Sequence, residues 1–225
     1  MEKERVITID GPSGVGKGTL AKKLAEKLGW ELLDSGAIYR ALALFAEEKG
    51  LDLNDEEKVA ALALTLPLEF KPGEKGVLIY LDGEDRTDAI RLETTGNKAS
   101  IVAKLPKVRE NLLQRQRDFA TAKGLIADGR DMGTVVFPRA PLKIFLTASA
   151  EERAKRRYKQ LLENGICAKI EQILSEVKAR DERDRSRKSS PLIPAEDAVI
   201  VDTSEFSADE VFEKVWANVA SVEIN

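Results

Sequence analysis

Nine consecutive residues carry the densest chemistry in the chain: Gly11, Pro12, Ser13, Gly14, Val15, Gly16, Lys17, Gly18 and Thr19. Glycines at this spacing let successive backbone N–H groups turn inward on one anion, and a helix starting at their end adds its partial positive charge. Lys17 supplies a mobile cation for the β and γ phosphates, so the run reads as a phosphate-binding P-loop. A dinucleotide fingerprint does not fit, because after Gly14 and Gly16 its last glycine would fall on Thr19.

The loop departs from the commonest form at one position. Gly18 follows the lysine where Ser or Thr is usual, and the hydroxyl comes one residue later at Thr19. That form is similar to the loop of nucleoside monophosphate kinases rather than that of GTPases. Asp128 ends the apolar run Leu125-Ile126-Ala127, where open α/β sheets place their ligands, and resembles the acid that organises Mg²⁺ beside such a loop. Mg²⁺ is therefore expected near Thr19 and Asp128, held through water.

Arginine is the other recurring reactive type. On a continuous helix Arg180, Asp184 and Arg187 share one face at i, i+4 and i+7, and Arg153 and Arg157 share another. Phosphoryl transfer uses such guanidinium forks to bind equatorial oxygens and offset developing charge. The chain has no histidine, which excludes a Ser-His-Asp triad and a His-ligated zinc. A monophosphate acceptor, mostly dianionic at pH 7, is its own nucleophile and needs no general base.

These groups need elements to hold them. Val6-Ile7-Thr8-Ile9 predicts a strand before the loop, and Leu20, Ala21, Leu24, Ala25 and Leu28 a helix after it, stopped at Gly29. Further strands are predicted at Glu31 to Asp34, Leu125 to Ala127, Leu142 to Leu146 and Ala198 to Val201, with helices between. Capping signatures stand at Asn54/Glu57, Ser149/Glu152 and Ser207/Glu210. Short strand-like runs at Leu68-Phe70 and Val77-Leu81, with an Asp82-Gly83 turn, read as a small antiparallel insertion. Two helices follow, about 92–103 and 107–122, parted by Pro106. Five strands alternating with helices give an α/β fold: a mainly parallel five-stranded sheet covered on both faces in three layers.

Composition sets outer limits. At 225 residues one α/β domain with insertions is expected. A net charge of -3 gives no global electrostatic case for nucleic acid or an anionic membrane. One cysteine, Cys167, excludes an internal disulfide framework, and no apolar run reaches a membrane span. Met1 to Arg5 lead into the first strand without a signal-like segment, so a cytoplasmic monomer acting on small molecules is expected.

The stretches IDGPSGVGKGTLAKKLAEKLGW, LLDSGAIYRALAL, ADGRDMGTVVFPRAPLKIFL, ERAKRR and RDERDRSRKSSPL resemble the bacterial cytidylate kinases, and the resemblance runs through essentially the whole chain. It implies a single P-loop kinase domain over 1–225, with a monophosphate-binding insertion at about 36–104 and a short lid at about 150–165. The reaction implied is transfer of the γ-phosphoryl group of ATP to CMP or dCMP, with Mg²⁺, giving ADP and CDP or dCDP. Lys17, Asp128, Arg130, Arg153 and Arg157 are the catalytic set expected. Ser35, Arg40, Ser100, Arg109, Arg130, Asp131, Arg180, Asp184 and Arg187 match the family's acceptor residues.

Chemistry supports part of that carry-over. Cytosine offers an N4 donor with N3 and O2 acceptors, which asks for one carboxylate and one or two donors, as Asp131, Ser100 and Arg109 supply. A kinase of UMP or AMP is the nearest alternative. A GTPase-like switch is a more distant one, because the Asn97-Lys98 pair is followed by Ala99-Ser100 rather than x-Asp.

Overall fold

The computed structural model describes residues 5–73, 76–163 and 165–221. Met1 to Glu4, read above as leading into the first strand, lie outside them, as do residues 74–75 of the expected insertion and residue 164 of the expected lid. The chain runs β1 (Val6–Asp10), α1 (Lys17–Leu28), β2 (Glu31–Asp34), α2 (Ser35–Glu48), α3 (Glu56–Leu64), β3 (Leu68–Gly73), β4 (Gly76–Leu81) and β5 (Glu84–Asp85). It continues with α4 (Thr87–Arg91), α5 (Glu93–Val102), α6 (Pro106–Arg117), β6 (Leu125–Asp128), a π-helical turn (Met132–Val136) and β7 (Leu142–Thr147). The last elements are α7 (Ala150–Glu163), α8 (Ile170–Arg185), β8 (Val199–Asp202) and α9 (Ala208–Ser221).

Two compact units emerge, one of Met1–Leu33 with Arg117–Asn225 and one of Asp34–Gln116. The first is built on a five-stranded sheet in the order β2-β6-β1-β7-β8. β1 pairs in parallel with β6 and β7, and β7 with β8, as the strand-helix alternation predicted. Every residue of β1 is buried, which is why its sequence is a nearly continuous apolar run rather than an alternating one. Leu20, Ala21, Leu24 and Ala25 of α1 pack with Ile7, Ile9, Ile126, Ile144 and Leu146 of the sheet and with Val215 of α9. The central strand therefore delivers the glycine loop at its carboxyl end.

The second unit carries the antiparallel sheet β3-β4-β5. Asp82 and Gly83, with φ of 52° and 80°, turn β4 back into β5 as the Asp-Gly pair suggested. Its helices differ in detail from their sequence signals. The N-cap of α3 is Asp55, whose carboxylate accepts from the Lys58 N–H. Asn54 instead bonds Asp52 through its backbone and its amide, so the neighbouring aspartate takes the cap. A short α4 precedes α5, and α6 starts on Pro106, where a missing N–H costs nothing. α6 ends at Arg117 rather than near 122: the Ala120 N–H closes a turn on the Arg117 carbonyl, although Phe119 and Ala120 prolong the apolar period.

Candidate active site

In the glycine loop Gly11, Gly14 and Gly16 have φ of 145°, 81° and 93°, values that side-chain-bearing residues rarely adopt. Gly11 also lies so close to β7 that a Cβ would stand 2.2 Å from the Leu146 carbonyl oxygen. Gly16 caps α1 without a side-chain bond, and the first turn holds no acidic residue. Its leading N–H groups are thus left for an anion. Thr19 is exposed on that turn. Lys17 is 7% exposed and donates to the Pro12 carbonyl at 2.9 Å. Burial, helped by the Arg130 and Arg180 charges and opposed by Asp128 and Asp10, brings its ammonium down to about 7.

Asp128 stands beside this loop: a Cβ on Gly18 would meet its Oδ2 at 3.7 Å. After β6 the chain turns through Gly129, whose N–H bonds the Ile9 carbonyl at 3.0 Å, into the π-helical turn. Asp10, the last residue of β1, accepts from the Met132 and Gly133 N–H groups, each at 2.8 Å. Burial, against those two hydrogen bonds and with the Asp131 and Asp128 charges, pushes its carboxyl up to about 7. Sequence reasoning passed over Asp10. The available signal was a carboxylate ending a strand otherwise apolar but for Thr8.

Three arginines converge on one carboxylate. Arg130 Nε donates to Asp184 Oδ2 at 3.0 Å, and Arg187 pairs with Asp184 Oδ1. Burial alone raises the Asp184 carboxyl, but Arg130, Arg187 and Arg180 outweigh it and hold it at about 2. Asp184, Arg180 and Arg187 are buried, and buried charges of this density hold only when each is answered by an opposite one; Asp131, next to Arg130, is buried too. The single-helix reading needs correction here. Arg180 and Asp184 lie on α8, but the helix caps at Ser186, so Arg187 meets Asp184 from beyond its end.

Arg153 and Arg157 part company. Arg153, 2% exposed, donates to the Ser13 carbonyl at 3.1 Å, to the Ala148 carbonyl at 3.2 Å, and to both oxygens of Asp181. This guanidinium braces the glycine loop against α8, and the Asp181 that completes it had no sequence signal. Arg157, one turn further along α7, is half-buried.

In the second unit, Ser35 Oγ lies 2.6 Å from Gln116 Oε1, a partnership sequence reasoning also missed. Arg40 donates to the carbonyls of Ile90 and Leu92 at 3.1 and 2.7 Å and lies over Gly96, where a Cβ would meet its Nη2 at 2.7 Å. Ser100 is buried on α5. Arg109, also buried, donates to the Ala103 carbonyl and lies over the Tyr39 ring, 5.3 Å from its centroid.

Central parallel strand, glycine loop, buried lysine and adjacent aspartate together define a P-loop nucleotide-binding protein. A gluconokinase from Sinorhizobium meliloti superposes with a TM-score of 0.52 over 98% of this chain and 94% of its own at 14% identity, a likeness of fold. The sequence profile of cytidylate kinase matches residues 7–221. The cytidylate kinase of Shewanella piezotolerans is 57% identical, covering 94% of this chain and 93% of its own. That of Pseudomonas entomophila is 58% identical over 96% and 95%. The chain belongs to the cytidylate kinase family.

Proposed function

We infer that the protein transfers the γ-phosphoryl group of ATP to CMP or dCMP, giving ADP and CDP or dCDP. The observation that carries this reading is the buried Asp131 next in sequence to Arg130, which pairs with Asp184 in the arginine cluster. It combines a base-reading carboxylate with cations for an acceptor phosphate, in a chain that also holds a triphosphate loop. Residues 11–19 bind ATP, with Lys17 on the β and γ phosphates. Asp131 accepts from cytosine N4 while Ser100 and Arg109 donate to its acceptors. Arg40, Arg130 and Arg187 clamp the acceptor phosphate, Asp184 accepts from ribose hydroxyls, and Ser35 and Arg180 complete the set. Arg157 meets the donor phosphates, whereas Arg153 steadies the loop that holds them.

The acceptor phosphate attacks as its own nucleophile, so the protein's work is placement and charge. Among the described residues no three of His, Cys, Asp and Glu gather into a metal cage. One aspartate beside the loop suits a Mg²⁺ that keeps most of its water, held near Thr19 and Asp128. The ion, when bound with ATP, neutralises charge on the phosphates. The insertion at about 36–104 serves the acceptor and the segment at about 150–165 serves as a lid, its root fixed by Arg153. Among the described residues no helix is long and apolar enough to cross a membrane. With a net charge of -3, the reading extends to a cytoplasmic monomer that binds no nucleic acid.

Coupled ADP release with CMP, dCMP, UMP and AMP tests the assignment. UMP presents an O4 acceptor to the Asp131 carboxylate, and an unsatisfied buried acceptor costs about 1–3 kcal/mol, so CMP should exceed UMP at least about tenfold in kcat/KM. Asp131→Asn, able to turn its NH₂ toward O4, should narrow that gap. An unchanged ratio in that variant removes Asp131 from base recognition, and equal turnover of all four nucleotides removes the pyrimidine assignment.

A further inference from the structure

The π-helical turn Met132–Val136 has an unusual arrangement at its start. Asp131 occupies the N-cap position, with φ of -143° and ψ of 24°, yet its side chain makes no cap bond. Aspartate at that position ordinarily accepts from the N–H groups that follow it. Here the Met132 and Gly133 N–H groups both go to Asp10, at 2.8 Å each, from a strand more than a hundred residues earlier in the chain. The Asp131 carbonyl, meanwhile, accepts from Val135 and Val136. Both peptide planes following Asp131 are thereby fixed, one at each oxygen of a single carboxylate.

We propose that Asp10 is a positioning residue that takes over the capping of this turn and so sets the direction of the Asp131 carboxylate toward the base. The proposal rests on Asp131 reading cytosine. Asp10 is 5% exposed and pinned by the central strand, so it offers a rigid reference for a segment that would otherwise begin with buried, unanswered donors. Two adjacent N–H groups need two acceptor oxygens, which a carboxylate has and a carboxamide of the same shape does not. That requirement explains why an ionisable group is kept here, although burial and two neighbouring aspartates make its charge costly. Asp128 depends on it less, because β6 holds that residue opposite Ile9 by strand pairing.

Asp10→Asn is the informative variant: its oxygen can answer one N–H while its NH₂ faces the other. The affinity for CMP should fall about tenfold or more and the CMP-to-UMP ratio should narrow, while the affinity for a non-hydrolysable ATP analogue stays within about threefold. An unchanged CMP affinity overturns the proposal, and so does a parallel loss of CMP and ATP-analogue binding, which marks a structural role alone. Asp131→Asn, measured alongside, separates the two ideas. If it shifts the base ratio while Asp10→Asn changes nothing, positioning by Asp10 fails and base reading stands. If it leaves the ratio intact while Asp10→Asn still weakens CMP selectively, base reading fails and Asp10 still sets the segment. Should Asp10→Asn not fold, amide exchange on the wild-type protein decides: slow exchange at Met132 and Gly133 supports the proposal, and exchange at the rate of an open loop overturns it.

Discussion

Lys17 is caught between its surroundings and its ligand. Burial, with Arg130 beside it, brings the ammonium down to about 7, so in ligand-free protein at pH 8 most of it is neutral. A bound polyphosphate favours the charged form and raises the pKa again. Binding should therefore take up a proton in the window above about 7, with the uptake fading below it. Calorimetry with an ATP analogue at pH 8, in two buffers of different ionisation enthalpy, should give an uptake approaching one proton that vanishes in Lys17→Ala. Equal uptake in both proteins assigns the proton elsewhere. The same variant should lose about a thousandfold in kcat, about 4 kcal/mol of transition-state stabilisation, while remaining folded. The lysine's place at the end of the glycine loop was legible from glycine spacing alone. Its depressed pKa was not, because the Arg130 and Arg180 charges that help lower it come from distant parts of the chain.

At the scale of elements, helix α5 keeps a glycine in its interior. Gly96 costs the helix about 1 kcal/mol relative to alanine, and the space above it is filled by the Arg40 guanidinium. Gly96→Ala should leave the melting temperature unchanged or raise it, because the added methyl need only displace the far end of a flexible side chain. It should nonetheless raise KM for CMP several-fold with KM for ATP unaltered, since Arg40 loses its seat. An unchanged KM for CMP separates Arg40 from the acceptor phosphate. Caps show what local sequence settles at this scale. Ser207 and Glu210 form the reciprocal box their spacing announced, and Ser149 accepts from the Glu152 N–H as expected. Asn54 lost its cap to Asp55 because two adjacent polar residues compete and Asp52 engages the first.

For the whole molecule the acid limb of stability should belong to Asp184. Its carboxyl is held at about 2 against an unfolded value of 3.8, so it contributes about 2 kcal/mol above pH 4 that is lost as pH falls through about 2. Asp10 has the opposite sign: raised from 3.8 to about 7, it costs stability progressively as pH climbs between those values. Urea unfolding of wild type and Asp184→Asn at pH 5 and pH 2.5 should show the gap between them shrinking by about 1.5 kcal/mol at the lower pH. An equal gap at both assigns the limb to other carboxylates. The strand-loop-helix, the alternation of the sheet strands with helices, and the identity of the phosphate loop were determined by sequence alone, because glycine spacing and apolar period act over a few residues. Tertiary structure decided which carboxylate answers which donor. Asp10 caps a turn that β1 meets only through the sheet, Asp181 pairs with Arg153, and Arg187 reaches Asp184 from beyond the helix meant to carry both. Such partners are set by which strands and helices become neighbours, and a buried charge must bond whatever the fold brings within about 3 Å.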